Sequence, residues 1–135
     1  MSASLRTRLW LAFAGLSGAA AVMIDAYGRH HLDPVSAAYG RELITIATKY
    51  QAIHAVALVA VALLAESATA GWSRRAATLS GWAFVAGTLL FCGALYALAA
   101  GASPSHAIMA PWGGGAFILG WLGVAAAGAT WSRQP

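Results

Sequence analysis

The sequence predicts an all-α integral membrane protein, a four-helix bundle with both termini cytoplasmic. Three observations carry this. Four stretches, 9–26, 43–65, 76–100 and 107–130, are almost uncharged and account for most of the 135 residues. Each is long enough to cross roughly 30 Å of hydrocarbon as a helix rising about 1.5 Å per residue. Hydrophobic residues make up 60% of the chain and charged residues only 9%, against about 25% charged in soluble domains. Finally, the basic residues gather at span ends. Arg6, Arg8, Arg74, Arg75 and Arg133 fall on one side of the bilayer and Arg29, Arg41 and Lys49 on the other, and the richer side is expected to be cytoplasmic. The whole of 1–135 therefore reads as a single transmembrane domain, with no length left for a soluble one.

The first span opens with Arg6 and Arg8 before an apolar run, as a signal peptide does. The run continues to Ile24 and lacks a small-x-small cleavage site, so it is expected to stay as a membrane helix. The outer connection, 27–42, contains Asp33-Pro34, a good N-cap followed by a proline at the first helical position. A short interfacial helix is predicted there, running through 35–39 and merging past Gly40 into the second span. Arg41, Glu42 and Lys49 keep that lead-in amphiphilic, so the apolar core starts near Tyr50, and Glu66 marks its inner end. Gly71-Trp72 and Arg74-Arg75 form the inner connection.

The third span holds Cys92, the only cysteine, which excludes an internal disulfide and a multi-cysteine zinc site. After the outer connection from Gly101 to His106, the fourth span opens with Pro111-Trp112-Gly113-Gly114-Gly115. Proline is harmless in a first turn, but each glycine costs a helix about 1 kcal/mol relative to alanine. Pro111, Gly113 and Gly114 are thus a candidate helix-break motif. It could serve close helix packing or open the backbone toward a polar cavity. Trp10, Trp72, Trp82, Trp112, Trp121 and Trp131 fall mostly near span ends, as interface anchors do. Small residues four apart (Ala14/Gly18, Ala83/Gly87, Gly93/Ala97, Ala116/Gly120) predict close helix contacts.

Polar chemistry collects in the outer half. Asp25, His30, Tyr50, Gln51, His54 and Tyr96 form the candidate polar cluster. Tyr50 and His54 are four apart and share a helix face, with Gln51 beside them. An ionisable group at membrane depth faces the bundle interior and takes a partner. For His54 the expected partners are Asp25, Tyr96 and the backbone around His30. A bis-histidine haem needs facing histidines at one depth, and only His54 is clearly intramembrane. A divalent metal is disfavoured because the adjacent His30 and His31 cannot converge from a helix. A proton relay or quinone pocket on Asp25, His54 and Tyr96 is conceivable, but the favoured reading is mutual pairing that fixes the helix ends. No cofactor and no metal are expected. No phosphate loop, triad or paired-carboxylate motif occurs.

Several stretches resemble a known family. Ala26-Tyr27-Gly28-Arg29-His30-His31-Leu32, Tyr50-Gln51-Ala52-Ile53-His54-Ala55, Phe91-Cys92-Gly93-Ala94-Leu95-Tyr96 and Pro111-Trp112-Gly113-Gly114 through Gly120-Trp121 are similar, in order and spacing, to the signatures of the "domain of unknown function 423" family. The resemblance implies a small four-helix protein of the bacterial inner membrane, with mitochondrial relatives in animals, and implies no activity. Asp25, Arg29 and Cys92 depart from its usual residues. Asp25 and Arg29, four apart, could form a local ion pair.

The net charge of +4 does not point to nucleic acid, since no basic stripe with interleaved aromatics exists. The expected partners are the lipid bilayer and other membrane proteins, and the small size allows a homo-oligomer. Short soluble parts and the lack of a catalytic motif predict a non-enzymatic accessory or structural subunit of a larger membrane complex. The alternative is a small oligomeric proton-coupled transporter or channel, drawing on Asp25, His54 and the Pro-Gly motif.

Overall fold

The computed structural model describes residues 4–69 and 71–130. Trp131 and Arg133, used above as an anchor and an orientation signal, lie outside the described residues. Four helices are long and apolar enough to cross a membrane: Leu5–His31, Ala38–Ser67, Gly71–Ala99 and Pro104–Ala129. The first is α1 and the second α2. The third is built from α3 (Gly71–Gly87), a π turn (Thr88–Cys92) and α4 (Gly93–Ala99). The fourth enters through a 3-10 turn (Pro104–Ile108) and continues as α5 (Met109–Ala129).

Most of these helices start or end several residues beyond the apolar runs, because hydropathy marks where hydrocarbon ends while helix caps mark where the helix ends. Ser4 caps α1, its hydroxyl accepting the Thr7 backbone N–H. Glu66, at the far end of α2, joins that cap by accepting from the hydroxyls of Ser4 (2.9 Å) and Thr7 (2.6 Å). A carboxylate at a helix N-terminus satisfies orphan donors and complements the helix dipole. The next connection is clamped in turn: the Arg74 guanidinium donates twice, from Nε at 3.2 Å and from a terminal nitrogen at 2.9 Å, to the Ala68 carbonyl.

The 27–42 connection is shorter than its sequence suggests, because α1 runs on to His31 and α2 already starts at Ala38. No separate interfacial helix forms. Asp33 does cap, its Oδ1 accepting the backbone N–H of Val35 (2.9 Å) and Ser36 (2.7 Å). The turn it opens passes directly into α2. The third and fourth spans are joined by a tight reversal. Gly101 takes φ +85, and the N–H groups of Gly101 and Ala102 reach back to Leu98 and Ala97. This C-cap requires a left-handed residue, which glycine adopts without penalty.

α1 packs along α2, α5 packs along α3, and α2 against the third span joins the two pairs. α2 is the central helix, with half of its most apolar stretch buried against 17% for the fourth span. In lipid, burial alone drives little, because the tails are as apolar as the side chains; fit and hydrogen bonding decide. The fit here is aromatic rings in glycine sockets. Trp10 lies over Gly81, Phe117 over Gly87 and Phe84 over Gly120, and a Cβ at any of the three glycines would overlap the ring.

These sockets revise one expectation and decide between two readings of another. Trp10 is 1% exposed and is a core residue rather than an interface anchor, edge-on to Trp82 at 5.5 Å. The Pro111-Gly113-Gly114 motif does not break the helix, since α5 is continuous through it. Gly113 instead admits the backbone of Phe91, and any Cβ there would collide with Phe91 N. The irregular turn is on the facing span, as the π turn Thr88–Cys92 that carries Phe91.

Candidate functional site

The six residues of the polar cluster do not form one site; the structure distributes them over three. Helical geometry explains the division on α2. Successive residues turn by about 100°, so His54 lies about 40° from Tyr50, while Gln51 lies about 60° further round. His54 therefore faces α5, and Gln51 faces the gap between α1 and the third span.

His54 is 4% exposed and sits in an aromatic box. Its ring stacks on Phe117 with centroids 3.5 Å apart and planes 11° from parallel, and Phe84 closes another side at 5.3 Å. Nδ1 lies 2.7 Å from the Tyr50 carbonyl oxygen, and the indole N–H of Trp121 donates to Nε2 at 3.1 Å. A carbonyl only accepts and an indole N–H only donates. The network therefore assigns one neutral tautomer, with the proton on Nδ1. Both nitrogens are occupied. The interhelical partner is Trp121, in place of Asp25, Tyr96 or the His30 backbone. Tyr50 lies along the same face, against Phe91 at 4.9 Å.

Gln51 builds the second site. Its amide N–H donates to the Ser17 carbonyl on α1 at 2.9 Å, and its Oε1 accepts the Tyr96 hydroxyl on α4 at 2.5 Å. One side chain thus ties three spans together. Cys92, fully buried, directs its thiol toward the Ala47 carbonyl at 3.4 Å. These groups border a cleft of about 410 Å³ between α1 and the third span.

Asp25 and His30 are apart from both, on the wall of a groove between α1 and α2 at the Asp33 end. Asp25 is held by Arg29 at 2.7 Å, the i,i+4 pair the sequence suggested, and receives only a long contact from Thr48 at 3.4 Å. Nearby, in the connection, the hydrogen bonds from Ser36 and Val35 hold the Asp33 carboxyl below its ordinary range. Gly113 and Gly114 lie in the α5 face turned toward Phe91, while Pro111 lines an apolar groove on the other side of α5. Among the described residues no three His, Cys, Asp or Glu side chains are grouped to hold a metal ion.

Sequence reasoning missed Ser17, Thr88, Phe84, Phe117 and the role of Trp121. Phe117 and Trp121 are four apart, a spacing that puts both on the face that meets His54. Ser17 gave no signal beyond being a lone hydroxyl in the middle of an apolar run.

Four apolar helices, hydrogen-bonded across their interior and joined by very short connections, define a small multi-pass membrane protein. The chain belongs to the family described as "Protein of unknown function (DUF423)", which matches residues 24–114. It is similar to the "UPF0382 membrane protein" of Haemophilus influenzae, 35% identical over 116 residues, covering 86% of this chain and 90% of the relative. It is also similar to the "UPF0382 inner membrane protein YgdD" of Escherichia coli K12, 31% identical over 117 residues, covering 87% and 86%. The "UPF0382 membrane protein YwdK" of Bacillus subtilis is 29% identical over 115 residues, covering 85% and 91%. No solved structure matches the chain. The protein is a multi-pass protein of the bacterial inner membrane.

Proposed function

We propose that the protein is a non-enzymatic accessory or structural subunit that docks laterally on a larger membrane complex. The observation that supports this is where its free surface lies. The connections are a few residues each, so nearly all exposed side chains are on the flanks of membrane-spanning helices. α5 is the least enclosed of these. It buries Gly113, Phe117, Gly120 and Ala127 and exposes Trp112, Ile118, Leu119 and Leu122. The polar groups, meanwhile, are engaged in joining helices: Glu66 at the α1 cap, Arg74 on Ala68, His54 with Trp121 and Gln51 between α1 and α4. That flank, with its two-ring indole and branched side chains, is the surface through which we expect another membrane protein to be met in competition with lipid.

The test is native co-purification with a photo-crosslinking residue in place of Leu119. In membranes solubilised with mild detergent, one and the same membrane protein should copurify in fixed proportion and be trapped from position 119. A protein that is solitary in native membranes, crosslinked only to lipid, overturns the reading. The transporter alternative needs a free carboxylate and an open backbone, whereas Asp25 is taken by Arg29 and α5 is continuous. Proton flux in liposomes that disappears in Asp25→Asn would replace the accessory reading.

A further inference from the structure

We infer that the cleft between α1 and the third span is a binding site for a neutral, carbonyl-bearing lipophile drawn from the bilayer, a quinone ring or the ester carbonyl of a glycerolipid. The inference is independent of the docking proposal.

The first observation is the place and lining of the cleft. Ser17 of α1, Gln51 of α2, and Thr88, Cys92, Gly93 and Tyr96 of the third span surround about 410 Å³, within the roughly 300–1,000 Å³ of small-molecule sites. All lie well inside their helices, at hydrocarbon depth, so a ligand must arrive through lipid. No charged side chain lines the space, so a charged headgroup would be unpaired there.

The second observation is unspent hydrogen-bonding capacity. The Ser17 hydroxyl is buried, the residue being 7% exposed, and has no partner. A buried polar group with nothing to bond is uncommon where water is scarce; Arg6 Nε and Trp10 Nε1 are also unpaired, but of the three only Ser17 lines this cleft. Beside it, Gln51 gives one amide N–H to the Ser17 carbonyl and accepts from Tyr96, which leaves its second amide N–H. The Ser17 hydroxyl, itself enclosed, and the second Gln51 N–H border an otherwise apolar cleft; a turn about the Ser17 Cα–Cβ bond would present its O–H to an acceptor, and the acceptor a neutral lipophile brings is a carbonyl oxygen.

The third observation is the wall. The π turn Thr88–Cys92 forms one side, and such turns are frequent at functional sites. Gly93 follows it, with no atom within 4 Å of where a Cβ would stand. That glycine is not needed for helix packing; it keeps the cleft open.

The experiment is native mass spectrometry of the full-length, delipidated protein titrated separately with decyl-ubiquinone and with dioleoylglycerol, a neutral ester lipid. One of the two should give a saturable 1:1 adduct. Ser17→Ala should weaken it roughly three- to tenfold, the worth of one hydrogen bond, while leaving the melting temperature of the ligand-free protein unchanged or higher, since an unpaired buried hydroxyl is removed. Gly93→Leu should abolish the adduct, and Gly115→Leu, on the open flank of α5, should not affect it. This pattern with decyl-ubiquinone identifies a quinone site, and with dioleoylglycerol an ester-carbonyl site. No saturable adduct with either, an adduct indifferent to Gly93→Leu, or a Ser17→Ala variant that is less stable yet binds as before, overturns the inference.

Discussion

His54 spends both of its ring nitrogens inside the protein. Protonation of Nε2 would set one N–H against the indole N–H of Trp121, so the contact with Trp121 is one that only the neutral imidazole makes. Its loss should show in stability. His54→Leu leaves the Trp121 N–H without an acceptor in hydrocarbon and should lower stability in detergent by roughly 1–3 kcal/mol. His54→Gln, which retains an acceptor, should keep part of it. In a double-mutant cycle with Trp121→Phe, the two losses should fall short of additivity by about 0.5–1.5 kcal/mol. Strictly additive losses would mean that the 3.1 Å contact carries no energy. The interior position of His54 was legible in the sequence, from its depth and its i,i+4 relation to Tyr50. Its partner was not, because Trp121 reads with the other tryptophans as an interface anchor, and it is indeed 47% exposed while its N–H turns inward to His54.

At the scale of the helix, three consecutive glycines at the start of α5 look alike in sequence and differ in the structure. Gly113 meets the backbone of Phe91, Gly114 has Phe91 at 4.0 Å, and Gly115 faces open space. Substitution should separate them. Gly113→Ala must push α5 away from the third span and should lower the melting temperature markedly. Gly115→Ala should leave it unchanged or raise it, by up to the roughly 1 kcal/mol of helix propensity that alanine adds. Thermal unfolding followed by circular dichroism in detergent measures both, and equal effects would mean that the Phe91 contact is not close. The sequence offered this run as a helix break or a packing surface. It could not choose, because the choice lies in residue 91, some twenty positions away in the chain and adjacent only once the third and fourth spans are paired. The glycine sockets for Trp10, Phe84 and Phe117 were hidden for the same reason: small-residue spacing signals close approach but not whether a backbone or a ring fills the space.

For the whole molecule, span number and helical class followed directly from apolar runs of membrane-crossing length, and the connections were legible where a cap or a glycine reversal has its own local chemistry, as at Asp33 and Gly101. Orientation rests on arginine placement and is open to direct measurement. In a Cys92→Ser background, a cysteine at Gly71 should be shielded from an impermeant thiol reagent applied to intact cells, and one at Ser105 should react. Both positions are exposed in the structure, so reversed labelling would mean a reversed protein. What the sequence could not convey is the pairing of spans, since every span is apolar on all sides and no stripe marks the inward face. The π turn at 88–92 adds a constraint of another kind. Its hydrogen bonds enclose one residue more than an α turn, and one residue is about 100° of rotation. The third span is therefore out of phase with itself: α3 is set to meet α5, and α4 is turned so that Tyr96 meets Gln51. Removing a single residue from that turn would straighten the helix, preserve its hydrophobicity and length, and rotate Tyr96 off its partner. A span judged by composition alone would call such a deletion silent, yet it would separate the two halves of the molecule's polar interior.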